Sequence, residues 1–174
     1  GIFFFNLFNF CIKYDIITIK EVKVLFKKIN SYEIEGNAIK LFKNDCPIVV
    51  FGNLDKHNGL TVAWGTLGCL WSKEIATVYV KPTRYSFDFA NTCDYFTIMW
   101  FDELKDKVNK VFGFRSGRDV NKEQLCNLTP FELDGGIAYK EASLIIVCKK
   151  IYQNPINKEN ILSEEVLNKP LYQD

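Results

Sequence analysis

Between residues 46 and 153 the chain returns six times to a short run of β-branched and aromatic residues. These are CPIVVFG (46–52), LTVAW (60–64), IATVYV (75–80), DYFTIMWF (94–101), GIAY (136–139) and ASLIIVCKKIYQ (142–153). Runs of this length and composition read as strands, and turn residues separate them. NLDKHNG (53–59) is rich in Asp, Asn and Gly, so it makes a hairpin of the first two, with Asn58 and Gly59 in the turn. GIAY is short enough to pair with the strand after it through a turn at Lys140–Glu141. Three helical pieces lie between the strands: SFDFANT (86–92), DELKDKVNKVF (102–112) and GRDVNKEQLCN (117–127). The second opens with acidic residues at its positive dipole end and sets Leu104, Val108 and Val111 on one side. The third has Val120, Leu125 and Cys126 to bury. The fold class that follows is mainly β with small helices: an antiparallel closed or split β-barrel.

Composition fits one such unit. The chain has 174 residues, of which 48% are apolar, enough for one packed domain and short for two. Its 22 basic and 21 acidic residues leave a net charge of +1, with no basic face for nucleic acid or for an anionic membrane surface. The six cysteines stand more than twenty residues apart and only one histidine, His57, accompanies them, so no metal site is expected. They read as reduced, mostly buried thiols of a cytoplasmic protein. The opening segment GIFFFNLFNFCIKYDIITIK has no basic stretch before its apolar run, and asparagines interrupt it. It reads as neither a signal peptide nor a spanning helix. Residues 1–24 are therefore read as an extension of uncertain status and residues 25–174 as the domain.

Three polar constellations stand out against the barrel. In HNGLTVAWGTLG (57–68), Thr61 and Ala63 share a face of the strand, and Gly65 and Gly68 allow a close backbone approach or a bulge. In KPTRYSFDF (81–89), Arg84, Tyr85 and Ser86 stand where a strand gives way to a short helix. A guanidinium beside hydroxyls and backbone N–H groups is a phosphate cradle, although an arginine in a loop is also an ordinary solvated charge. In SGRDVNKEQ (116–124), Ser116 is a candidate N-cap, Gly117 permits close approach, and Arg118 and Lys122 project from one helix face. Asp119 stands in the first turn of that helix, and an ordinary capped helix with an ion pair explains the stretch equally well. His57, in the predicted turn, reads as a surface residue.

Taken together, NGLTVAWGTLGCLWSKEIATVYVKPTRYSFDFANTCDYFTIMWF (58–101), SGRDVNK (116–122), LTP (128–130) and ASLIIVCKKIY (142–152) resemble the flavin reductase-like, FMN-binding split-barrel proteins, the group that includes flavoredoxin. The resemblance runs from about residue 29 to residue 174. It implies a Greek-key split barrel that holds FMN at a homodimer interface. Asn58, Thr61, Ala63, Trp64 and Gly65 would then lie by the flavin, while Arg84, Tyr85 and Ser86 meet the phosphate or ribityl chain. Ser116, Gly117, Arg118, Asp119 and Lys122 would complete the site, some of them from the partner subunit. Two departures are visible: Ala63 stands where many relatives have serine, and the chain stops at LNKPLYQD where relatives continue into a further strand.

The function implied is an oxidoreductase that transfers hydride from NAD(P)H to flavin and passes electrons to a small-molecule or protein acceptor. The chemistry belongs to the cofactor, so no catalytic side chain is expected. Two alternatives share the same residues: an FMN electron-transfer protein with no nicotinamide site of its own, and a non-catalytic split-barrel dimer.

Overall fold

The computed structural model describes the backbone of residues 2–18 and 21–169 and the side chains of residues 26–169. The expectation about the C-terminal end falls on residues 170–174, outside the described residues. Strands β1 (Ile2–Thr18) and β2 (Glu21–Ile29) form an antiparallel ribbon, followed by the short helix α1 (Ala38–Lys43). Two hairpins come next: β3 (Ile48–Gly52) with β4 (His57–Thr61), then β5 (Gly65–Leu70) with β6 (Lys73–Tyr79). Helix α2 (Ser86–Thr92) leads into β7 (Tyr95–Trp100), and α3 (Lys105–Phe114) and α4 (Lys122–Cys126) follow. A small hairpin of β8 (Pro130–Leu133) and β9 (Gly136–Tyr139) precedes β10 (Leu144–Asn154) and the one-turn helix α5 (Glu164–Leu167).

Eight strands share one sheet, in the order β4-β3-β7-β10-β1-β6-β5 with β2 paired to β1, and its strand pairs are antiparallel. Residues 2–6 thus lie between β10 and β6, and residues 10–18 pair with β2. The central strands are buried on both faces, which is why they read as continuous apolar runs rather than alternating ones. Ile48 and Val50 pack with Met99, Val108, Phe112 and Ile145 on one side. Val49 and Phe51 pack with Phe96, Ile98 and Ile146 on the other. Phe51 and Phe96 stack with centroids 5.3 Å apart, and Trp100 Nε1 donates to the Leu41 carbonyl at 3.0 Å, tying α1 to the sheet.

Two expectations about the strands are corrected. The first hairpin turns at Asn53–Lys56, where the Asn53 side chain accepts from Lys56 N at 2.9 Å. Asn58 and Gly59 are therefore strand residues, opposite Phe51 and Val50. Gly59 serves packing there, because a Cβ on it would stand 2.8 Å from the Phe112 ring. Likewise, β9 pairs with β8 and not with β10. The turn between them holds Asp134 and Gly135 at φ of 48° and 87°, left-handed geometry that Asp and Gly accept.

Among the described residues, no helix is long and apolar enough to cross a membrane, and no His, Cys, Asp and Glu cluster is arranged for a metal ion. The five described cysteines are free thiols. Cys126 and Cys148 are buried, whereas Cys69 is exposed because it lies on β5, at the end of the sheet.

Candidate functional site

A cleft of about 480 Å³ opens where the start of β4, the start of α2, the turn at residues 116–120 and the first turn of α4 converge. Six of the residues singled out in the sequence line it: Asn58, Tyr85, Gly117, Arg118, Asp119 and Lys122. Ser86 lies directly behind them, 1% exposed, and its hydroxyl accepts from Asn58 Nδ2 at 2.6 Å. Gly117 closes against the same asparagine, where a Cβ would come within 2.1 Å of Asn58 Oδ1. Only glycine lets that loop approach the strand.

The cations at this site are held in three ways. Arg118 is exposed, its guanidinium 4.4 Å from the centroid of the Tyr85 ring, and 3.8 Å from the Asp88 carboxylate in a solvent-screened pair. Lys122 is only 7% exposed, with Nζ donating to the Gly59 carbonyl at 2.8 Å and more weakly to the Phe112 carbonyl at 3.5 Å. Burial, helped by the nearby positive charge of Arg84, lowers its pKa to about 8. An ammonium group has three donors, so one remains after those two carbonyls. Arg84 itself stands on the exposed loop after β6.

The sequence misplaces the helix that carries Lys122. Ser116 does not cap α4; its hydroxyl accepts from Arg118 N at 3.2 Å within a turn, and Asn121 caps the helix by accepting from Gln124 N at 2.9 Å. Arg118 therefore lies outside the helix and shares no face with Lys122.

Thr61, Ala63, Trp64 and Gly65 do not line the cleft. Thr61 closes β4, roughly 10 Å along the strand from Asn58, and its hydroxyl donates to the Asn109 carbonyl at 3.1 Å. Ala63 and Trp64 follow in the connection to β5, and both face outward, Trp64 with 42% of its surface exposed. The room that Gly65 leaves is already filled, since a Cβ there would stand 2.2 Å from the Phe42 ring.

Sequence reading missed a polar cluster in the cleft. His57 Nε2 stands 2.5 Å from Glu123 Oε1, and Tyr139 donates its hydroxyl to the same oxygen at 2.7 Å. His57 Nδ1 stands 2.8 Å from the Asn53 carbonyl. The histidine is thus not a surface residue; its side chain is 11% exposed. The hydrogen bond to Glu123 raises its pKa above 6.5, against the opposing effect of burial. Burial pulls Glu123 upward, but its bonds from His57 and Tyr139 and the histidine's charge prevail and lower it. Tyr139 is pushed up by burial and by the neighbouring carboxylate. Nothing in the spacing of positions 57, 123 and 139 signals this cluster, because three separate elements bring it together.

No family model matches the chain, and no curated protein does. Among solved structures it is similar to an FMN-binding domain of a flavin reductase-like enzyme from Shewanella baltica, at 16% identity and a TM-score of 0.50, over 66% of this chain and 70% of that one. It is also similar to the flavoredoxin of Desulfovibrio vulgaris, at 18% identity and a TM-score of 0.50, over 62% of this chain and 67% of that one. What these likenesses carry is the fold, an antiparallel split β-barrel with small helices.

Proposed function

We propose that this chain is an FMN-binding oxidoreductase domain that uses NAD(P)H as hydride donor. The observation that carries the reading is the buried Lys122, with an ammonium donor left over, beside Arg118 in one cleft. That arrangement suits a phosphate: a desolvated cation, a guanidinium held over the Tyr85 ring, and a glycine that keeps the loop tight against Asn58. The cleft's size lies within the usual range for a small-ligand site, roughly 300–1,000 Å³. Arg84 adds positive field near Lys122, and His57 engages the Glu123 carboxylate.

In this reading the phosphate end sits in the cleft, and the ring extends along β4 toward Thr61, Ala63, Trp64 and Gly65. The redox chemistry, acceptance of a hydride and delivery of electrons to an acceptor, belongs to the flavin when bound. The chain's own part is to bind the anion, orient the ring along the strand and exclude water with Phe112 and Tyr85. A homodimer belongs to the same reading: Ala63 and Trp64 present exposed apolar surface that a second copy would cover. Light scattering is expected to give twice 20.2 kDa, and a monomer at working concentration would remove that part of the proposal.

The test is an absorbance spectrum after adding FMN and removing the excess, followed by anaerobic NADPH and then NADH. A retained flavin band that bleaches within seconds is expected. A retained band that neither nucleotide bleaches points to an electron carrier without a nicotinamide site. No retained band sinks the FMN reading. Arg118→Ala is expected to weaken FMN by about tenfold or more, the scale of a lost charged hydrogen bond, with less effect on riboflavin, which lacks the phosphate.

A further inference from the structure

We propose that His57, Glu123 and Tyr139 form a proton-dependent clasp that holds α4, with its buried Lys122, against β4, and so sets the geometry of the anion end of the cleft. The inference rests on the FMN reading only for the identity of the anion.

The geometry decides the protonation state. The Asn53 carbonyl has only lone pairs to offer, so His57 Nδ1 donates to it at 2.8 Å. Glu123 Oε1 already accepts from the Tyr139 hydroxyl at 2.7 Å, and at 2.5 Å His57 Nε2 meets the same oxygen as a second donor. A histidine with acceptors at both nitrogens is satisfied only as the imidazolium. Loss of the Nε2 proton turns a charged hydrogen bond into a lone pair facing a carboxylate, in a largely buried place.

The clasp acts where the ligand would be held. Glu123 follows Lys122 directly in the first turn of α4, a five-residue helix with little stability of its own. His57 precedes Asn58 and Gly59, the strand residues that contact Gly117 and Lys122. Joining His57 to Glu123 therefore fixes the two halves of the anion site relative to each other. Tyr139, on β9, anchors the carboxylate from below.

Other charges share the cleft: Asp55 and Lys56 on the hairpin turn, Arg118 and Asp119 on the loop, and Lys122 on α4. Lys122 titrates near pH 8. A bound phosphate adds its own proton equilibrium near pH 6. Both persist in a variant that lacks only the histidine, so that variant is the reference against which the clasp is read.

The experiment uses the full chain, in which His57 is the one histidine, so an imidazole NMR titration reads it directly. His57 is expected to titrate above 6.5, and in Glu123→Gln, which keeps the hydrogen-bonding shape without the charge, to return toward 6.5. Hydrogen exchange over residues 116–126, corrected for its intrinsic pH dependence, is expected to quicken as pH passes that titration, about fivefold or more beyond its change in His57→Gln. FMN affinity is expected to weaken in parallel, with riboflavin affected less. If His57→Gln does not fold, Glu123→Gln replaces it as the reference. A His57 that titrates at or below 6.5 overturns the clasp, as does exchange over 116–126 that follows the same pH course in wild type and variant. If exchange behaves as expected and FMN fails to bind at any pH, the clasp stands and the FMN reading falls.

Discussion

At Gly65 two physical accounts of one residue make opposite predictions. As a residue that lets a flat ring approach, it would tolerate a methyl group in the free protein and fail only in binding. Its Cβ position, however, is 2.2 Å from the Phe42 ring, which stacks edge-on with Trp100 in the core. Gly65→Ala is therefore expected to destabilise the fold by about 1–3 kcal/mol, an overpacking cost, read as a lower urea midpoint at constant slope. Gly117 differs, since what it crowds is the Asn58 amide, itself bonded to Ser86. Gly117→Ala is expected to displace that amide and weaken FMN several-fold with a smaller loss of stability; unchanged affinity would count against the loop's place in the site. The sequence marks both glycines, but only packing distinguishes their roles.

Helix α4 is the element on which the site depends, and composition places its start five residues too early for an identifiable reason. Serine followed by Gly-Arg-Asp has the composition of a capped helix start, yet Ser116 spends its hydroxyl on Arg118 N in a turn. A second candidate cap, Asn121, stands five residues later and accepts from Gln124 N at 2.9 Å. Cap residues favour turns and helix starts alike, so composition cannot choose between them. The consequence is large here, because moving the start from residue 117 to 122 buries Lys122 and frees Arg118. Asn121→Ala is expected to cost about 1 kcal/mol of stability and to weaken FMN, since the same cap orients Lys122. Stability lost with affinity intact would mean that the helix start does not position the lysine.

At the scale of the whole molecule, His57, Glu123 and Lys122 are among the groups that give stability a pH dependence, with opposing signs. The folded protein holds the His57 proton more tightly than the unfolded chain does, so that contribution is full below about 6.5 and is lost as pH rises through the raised folded value. Glu123 is depressed, so its contribution is present above 4.5 and lost as pH falls through its lower folded value. Lys122 acts the other way, because burial opposes its charge. With a pKa near 8 in the fold and 10.5 outside it, the protein gains stability as pH climbs between those values. Denaturation midpoints are thus expected to fall above pH 6.5 and to recover from about pH 8, until the raised thiols, whose ordinary value is 9.0, and the raised Tyr139 hydroxyl oppose that recovery. His57→Gln should remove the fall and Lys122→Met the recovery. A flat profile in the wild type would show that neither group is held as its surroundings imply.

The sequence by itself determined β3, β6, β7, β9 and β10, because β-branched and aromatic runs between turn residues leave the backbone little choice; it did not mark β1, β2, β5 or β8, and the run at 60–64 continues past the end of β4 at Thr61. It also determined the short helix at residues 86–92 and the two polar segments that line the cleft. Tertiary structure decided which residues meet. Asn58 and Gly59 became strand residues because Asn53–Lys56 closes a tighter turn. Strand β9 left β10 for β8 because Asp134 and Gly135 accept left-handed conformations. His57, Glu123 and Tyr139 became one cluster because a hairpin, a helix and a second hairpin end at the same point. Local propensity extends over a few neighbouring residues, whereas a buried carboxylate and its donors are selected by packing between elements distant in the chain.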